Sequence, residues 1–339
     1  MTVSSAAPAF GTVFAPTMAV ATTVDGAFGA AKLVETDDLR LHPAAHVLHY
    51  GSACFEGLKA HRGEDGTVRV FRADRHVERM QRSAELLHLP VPPADLLHGM
   101  LLDVVRDNLE LVPDPPGSLY LRPVLLGTLA NIGAAAAPSS EALLYVLASP
   151  VGDYFAGGLR PLRLLVQEDL PRTTPQFGQV KSGANYAMAL GPTLRAKADH
   201  GVDQVLFAPD GKVTETGAAN LLLLDEQRVV TPELDGSLLP GVTRDSILQL
   251  ARDSGRRVEE RQLTLDDVVA WAEAGGEAAL SGTAAVLAPV GELVWEDGRT
   301  VAFAGGEVGP TVVELREALT SVHRGSAEDV HGWLEPVTS

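Results

Sequence analysis

A single cysteine, Cys54, occurs in the 339 residues, so no intrachain disulfide can form and a cysteine-based metal cluster is excluded. Aromatic residues are scarce at 5%, which leaves alanine, leucine and valine to supply most of the packing. Basic residues are in deficit: 27 Lys and Arg face 44 Asp and Glu, a formal net charge of −17. That balance argues against nucleic acid as a partner, because a phosphate backbone demands a basic face. No apolar run approaches the length that spans a bilayer. Residues 1–20 carry no basic residue ahead of an apolar core, as a secretory signal would. A cytoplasmic protein with no membrane partner is expected.

What is present reads as globular. Hydrophobic residues make up 45% and charged residues 21%, and the length suits two domains. Val68 to Arg72 alternates as a strand, and Asp74 is expected to cap a helix running to about Leu87. Ala94 to Leu111 has apolar residues at helical spacing, stopped by the turn Pro113-Asp-Pro-Pro-Gly117. Ser118 to Gly127, Ala142 to Ala148 and Leu162 to Gln167 read as strands, and a helix follows Lys181 to about His200. Gln204 to Ala208 and Lys212 to Thr214 read as a hairpin turning at Pro209-Asp-Gly211. Helices are expected from Thr243, over Leu263 to Ala274, and over Pro310 to Val322, with apolar strand and turn at Ala278 to Val290. Ser149 to Gly158, with three glycines and adjacent Tyr154 and Phe155, is the best boundary. Domains are therefore expected at 1–152 and 163–339, joined by a connection at 153–162. Strands and helices mix without a strict βαβ rhythm, so the fold class is α+β rather than doubly wound.

Lys181 sits where a lysine is awkward to explain structurally, between a loop rich in Pro, Thr and Gly and an Ala-rich helical stretch. Alone it would be read as a solvated surface charge. Tyr186 follows five residues later, and Glu215 precedes a Gly turn and the apolar run Asn220-Leu-Leu-Leu-Leu224. These are the parts a pyridoxal phosphate site needs: an amine to form an imine with the cofactor aldehyde, and a carboxylate to keep the pyridine nitrogen protonated. Glu215 could be a plain hairpin charge, but a buried carboxylate requires a partner. Of Arg72, Arg75, Arg79 and Arg82 on one helix most should be solvated, with at least one turned inward if the site holds a phosphate. The turn Gly241-Val242-Thr243 at a helix start offers backbone N–H groups to an anion, and Ser281-Gly-Thr283-Ala284 offers a hydroxyl. Both turns are also compatible with close packing alone. His42, His46 and His49 could suggest a metal, but their surroundings do not read as helix and no carboxylate pattern accompanies them, so no metal is expected.

In order along the chain, His49-Tyr-Gly-Ser-Ala-Cys-Phe-Glu-Gly-Leu-Lys59, Leu119-Tyr-Leu-Arg-Pro123, Lys181 to Tyr186, Glu215 to Asn220, Leu239-Pro-Gly-Val-Thr-Arg244 and Ser281-Gly-Thr-Ala284 resemble the branched-chain amino acid aminotransferases. These belong to the fold-type IV pyridoxal phosphate enzymes, and the likeness covers almost the whole chain. The resemblance implies a small N-terminal α/β domain, a larger C-terminal β-barrel-like α/β domain, a cofactor lying between them, and a homodimer. It implies transfer of an amino group between a branched-chain L-amino acid and 2-oxoglutarate. It makes Lys181 the imine lysine and proton shuttle, pairs Glu215 with the pyridine nitrogen, and bonds Tyr186 to the phenolic oxygen. Leu239 would pack on the ring, and Arg79, the Val242 and Thr243 amides and Thr283 would hold the phosphate. Phe14, Tyr50, Phe55, Tyr154 and Ala284 would line an apolar side-chain pocket, with Ala218 near the substrate carboxylate. Tyr120 and Arg122, from the same or the partner subunit, would add a contact for the glutamate γ-carboxylate.

Three departures from the family pattern stand out. Pro175-Gln-Phe-Gly-Gln179 replaces a common Gly-Gly-Thr-Gly, Ala218 replaces a frequent Thr or Gly, and Ala285 and Ala288 stand where some relatives carry a redox cysteine pair. No thiol switch is expected. The first two bear on the substrate more than on the chemistry, and leave open a relative specialised for another apolar or non-standard amino acid in secondary metabolism. Other readings are a D-amino acid aminotransferase, an aminodeoxychorismate lyase, a non-catalytic binding protein on the same scaffold, and a metal-dependent enzyme built on the histidines.

Overall fold

Runs of apolar and β-branched residues in the first half of the chain pair into a sheet of nine strands, described by a computed structural model that covers residues 10–155 and 157–338. Ser118–Gly127 and Ala142–Val151 form its centre, antiparallel along their whole length. Leu58–Arg62, Val68–Phe71 and Leu334–Pro336 extend it on one side, Thr17–Val24 and Ala27–Phe28 on the other, with Lys32–Glu35 and Ala53–Phe55 paired off that path. Helices Ala73–Leu86 and Ala94–Asp107 lay one apolar stripe each on the sheet. Met80, Ala84, Leu97, Met100 and Val104 meet Leu58, Val70, Leu121 and Leu144 in one fully buried cluster. Each such side chain contributes about 1.5–3 kcal/mol by leaving water.

The second sheet has eight strands and mixed direction. Leu162–Gln167 runs parallel to both Gln204–Phe207 and Val286–Val294, and Arg228–Pro232 runs parallel to Arg257–Arg261. Glu277–Gly282 pairs antiparallel with Val286–Val294 and with Asn220–Leu224, whose five residues are all buried. This mixture of parallel and antiparallel pairs with helices is the expected α+β class.

Contacts divide the chain into two units. One comprises residues 1–156, 180–183 and 322–339, the other 157–179 and 184–321. The first change of unit follows residue 156, and two later stretches, 180–183 and 322–339, cluster with the first unit. Residues 180–183 do so because the Phe55 amide donates to the Lys181 carbonyl at 3.0 Å and the Lys181 amide donates to Ser83 Oγ at 3.2 Å. The late segment does so because Leu334–Pro336 pairs with Val68–Phe71.

Several local expectations are corrected. Arg72, in the left-handed region at φ 50°, occupies the N-cap expected for Asp74, which lies in the first helical turn, where its charge suits the helix dipole. The helix over 94–111 ends at Asp107 and continues only as a 3₁₀ turn, Leu109–Leu111. Leu263 is not helical: Leu263–Thr264 is a short strand, and Thr264 forms a reciprocal cap with Asp267 at the start of Leu265–Glu273. Lys212–Val213 pairs with that strand, so the expected hairpin survives as the bonds between Phe207 and residues 214 and 215 and the bridge of Leu206 with Thr216. His46–Tyr50 forms one short helix closed by Gly51 at φ 65°. Among the described residues no helix is long and apolar enough to cross a membrane.

Candidate active site

The site residues fall into two groups, one in each unit. In the first, Phe55 is the pivot. The Lys181 Nζ lies 5.0 Å from its ring centroid and the Arg122 guanidinium carbon lies 4.7 Å from it. Arg122 and Tyr120 alternate on strand Ser118–Gly127, and Arg122 Nη2 donates to the Tyr120 hydroxyl at 2.9 Å. The Arg122 Nε is buried with no hydrogen-bond partner among the described residues. Tyr120 in turn meets Phe10 edge-on at 5.0 Å. A cavity of about 340 Å³ is bounded by Phe10, Phe14, Tyr120, Arg122, Leu147 and Ser149. Gly57 is required here, because a Cβ on it would stand 1.9 Å from the Tyr120 hydroxyl.

Arg79 is the arginine of its helix that turns into the protein together with charged partners. Its Nε and Nη2 donate to the two oxygens of Glu56 at 2.7 and 2.8 Å, and His76 Nδ1 lies 2.7 Å from the same carboxylate. Burial alone would raise the Glu56 pKa; Arg79 and then His76 outweigh it and hold the group well below the usual carboxylate range. Burial lowers the His76 pKa, with Glu56 opposing, so the ring is neutral at pH 7. Arg72 is also buried, over the Trp333 ring, whereas Arg75 and Arg82 make exposed pairs with Glu78 and Glu85.

In the second unit Glu215 is 2% exposed and centrally placed. Its Oε1 accepts Arg172 Nη1 at 2.5 Å and the Leu239 amide at 3.0 Å, and its Oε2 accepts Asn220 Nδ2 at 2.9 Å. Asn220 Nδ2 also donates to the Leu239 carbonyl at 2.9 Å, which ties strand Asn220–Leu224 to the loop before helix Val242–Asp253. Gly241, the N-cap of that helix, must lack a side chain because a Cβ would lie 2.1 Å from Asn220 Oδ1. No side chain caps the helix, so the Val242 and Thr243 amides keep the donor character of a helix start. Asn220 faces Ser281 across the sheet, which brings the turn with Thr283 and Ala284 alongside. Ser281 Oγ is buried without a hydrogen-bond partner among the described residues. Tyr186, on helix Gly183–His200, has its ring centroid 6.0 Å from the Arg172 guanidinium.

Of the expected substrate residues in the first unit, Phe14, Tyr120 and Arg122 line the cavity and Tyr50, Phe55 and Tyr154 do not. Tyr50 is 38% exposed and donates to the Ile132 carbonyl, and Tyr154 is 50% exposed against Phe155. Ala218 is exposed in a turn whose amides bond to Thr216 Oγ1. The histidines are used separately: His42 accepts the Ala44 amide, His46 meets Ser52, and His49 lies against the Pro43 carbonyl. Among the described residues no group of three or more His, Cys, Asp or Glu could hold a metal ion.

Arg172 and Glu56 are the participants that sequence reading missed. A signal existed for Glu56 alone. The acid inside Cys54-Phe-Glu-Gly-Leu58 sits among residues that bury, and a buried charge demands its opposite, whereas Arg172 follows four exposed residues and gives no such signal.

Comparison with known proteins places this architecture. The family model for class IV amino-transferases matches residues 53–293. The chain is 39% identical to the branched-chain-amino-acid aminotransferase of Mycolicibacterium smegmatis, over 96% of this chain and 91% of that one. It superposes on the T.th. branched-chain amino acid aminotransferase with pyridoxamine 5'-phosphate at TM-score 0.80 and 26% identity, covering 96% of this chain and 100% of that one. The same T.th. enzyme complexed with N-(5'-phosphopyridoxyl)-L-glutamate superposes at TM-score 0.79 and 25% identity, with the same coverage.

Proposed function

Since this chain belongs to the class IV amino-transferase family, we propose that it moves an amino group between a branched-chain L-amino acid and 2-oxoglutarate, with pyridoxal 5'-phosphate as cofactor. The residues present suit that cofactor. The Ser281 hydroxyl, without a partner among the described residues, and the start of helix Val242–Asp253 both lie next to Asn220 and offer donors to an anion. Such donors fit a phosphate.

When bound, the cofactor supplies an aldehyde that takes up the amino group and a ring that accepts the electron pair released at the substrate Cα. The chain supplies the rest. Lys181 Nζ would hold the cofactor and would serve as the base that moves the Cα proton. Glu215 would pair with the pyridine nitrogen, and its three donors hold the carboxylate in a fixed direction for that task. Tyr186 would bond the phenolic oxygen and Leu239 would contact the ring. Arg79, the Val242 and Thr243 amides and Thr283 are the groups that would bind the phosphate.

Phe14, on the cavity wall, and Phe55 would contact an apolar substrate side chain, whereas the exposed Tyr50 and Tyr154 do not line that cavity. Tyr120 and Arg122 take the distal carboxylate of glutamate or 2-oxoglutarate, a role that suits the orphaned Arg122 Nε. The observation that carries this reading is the flanking of one phenyl ring, Phe55, by the Lys181 amine and the Arg122 guanidinium beside an apolar cavity. It supports Arg122 serving the subunit that carries it. The active form is a cytoplasmic homodimer, an assembly supported by exposed apolar side chains such as Leu48 and Ile132.

A panel of amino donors with 2-oxoglutarate as acceptor tests the reading. Leucine, isoleucine and valine should yield glutamate, and the purified protein should be yellow. Turnover of D-amino acids alone, or pyruvate release without an acceptor, would replace it with one of the related activities.

A further inference from the structure

Arg172 has no role in the scheme above, yet it is the most deeply placed charge near Glu215. Its side chain and that of Glu215 are each 3% exposed, and they are joined by a 2.5 Å hydrogen bond. Its Nε reaches the Gly217 carbonyl at 3.4 Å, beyond the turn that follows Glu215. Its guanidinium carbon lies 6.0 Å from the centre of the Tyr186 ring, within range of a cation–π contact. One side chain therefore touches the carboxylate, the turn beyond it and the tyrosine. The segment that delivers it is pinned too: Thr173, next in sequence, donates to Asn185 Oδ1 at 2.7 Å, and Asn185 immediately precedes Tyr186.

We propose that Arg172 is a positioning residue that couples Glu215 to Tyr186, fixing the two groups assigned to the pyridine nitrogen and to the phenolic oxygen in one rigid unit. The proposal rests on the assignment of those two residues. Arg172 itself touches neither substrate nor reacting atoms. A guanidinium suits the task because its planar fork binds the carboxylate in a set direction while its face lies toward an aromatic ring. Lysine would keep the charge and lose the direction.

Three variants are compared, Arg172→Met, Arg172→Lys and Glu215→Gln, with the double variant R172M/E215Q. Arg172→Met should lower kcat by about 10- to 100-fold, the factor a charge-assisted hydrogen bond is worth, with KM for the amino acid little changed. It should also weaken pyridoxal phosphate binding by the apoprotein and alter the visible absorption band of the loaded protein. Arg172→Lys should recover part of each loss. Because Arg172 acts through Glu215, R172M should add little to the loss already caused by E215Q. The double variant also removes both buried charges, so it folds where R172M alone would leave Glu215 without its cation. Losses that multiply in the double variant, or an R172M enzyme with wild-type kcat, cofactor affinity and spectrum, would overturn the proposal. Wild-type kinetics in E215Q would instead overturn the assignment of Glu215, so the two failures are distinguishable.

Discussion

Replacing Glu56 with glutamine tests the energetics of the first unit most sharply. The carboxylate is fully buried and accepts Arg79 through both oxygens, His76 at 2.7 Å and the Gly57 amide at 3.2 Å. A glutamine must turn its NH₂ toward either the Arg79 Nε or the three donors gathered on the other oxygen, so at least one N–H meets another. It also leaves the Arg79 guanidinium, itself 8% exposed, without its counter-charge. Breaking a buried pair in this way costs about 3–5 kcal/mol, against a typical total of about 5–15 kcal/mol for a native protein. Urea unfolding of the apoprotein at pH 7 should therefore show a large drop in midpoint with an unchanged slope. The pH dependence has a definite sign. The folded Glu56 pKa lies below its unfolded value, so its contribution is complete above about pH 5 and fades as the pH falls below about 4. The gap between wild type and E56Q should narrow over that range. His76, depressed by burial, adds a separate loss in the wild type as the pH falls below about 6.5, where the unfolded chain takes up a proton more readily. The double variant E56Q/R79M, which removes both charges, should regain part of the loss. A gap at pH 7 under about 1 kcal/mol, the range of an exposed pair, would refute the reasoning.

Lys181→Ala should abolish transamination and the visible absorbance of the purified protein, and retention of either property rejects its role. Arg122→Leu should raise KM for 2-oxoglutarate by about tenfold or more while KM for leucine changes little, because only the acid loses a charged partner. Equal effects on both substrates would mean that Arg122 shapes the cavity instead of reading charge. Burial, with Glu56 nearby, pushes the Cys54 thiol up to about 12. It should therefore resist alkylation at pH 8 until the protein unfolds, and prompt labelling of native protein would contradict its place in the core.

Local chemistry made much of the fold legible. The long strand Ser118–Gly127 and the all-apolar Asn220–Leu224 follow from residue type and spacing. The helical period also explains why Arg79 turns in with His76 and Met80 while Arg75 and Arg82 stay in water. Partners across long loops were not legible. Glu56 meets Arg79 23 residues away and Arg172 meets Glu215 43 away, and nothing local pairs a given acid with a given base. The hairpin reading held only in part, for a related reason. The Pro209-Asp-Gly211 turn is present, but Lys212–Val213 gains more by pairing with Leu263–Thr264, a strand hidden inside an apparently helical stretch. Phe55 entered as one wall of a pocket, whereas its position between two cations depends on Lys181 folding back onto it.

The edge of the first sheet is finished by Leu334–Pro336 lying against Val68–Phe71. During synthesis, ribosomes deliver those residues long after their partners, so the earlier strand, paired with Leu58–Arg62 on one edge, emerges with the backbone groups of its other edge unsatisfied. For the time it takes to translate about 260 further codons, at ~5–20 residues per second, that border is open to other nascent chains. That border is where association between incomplete chains is expected to begin.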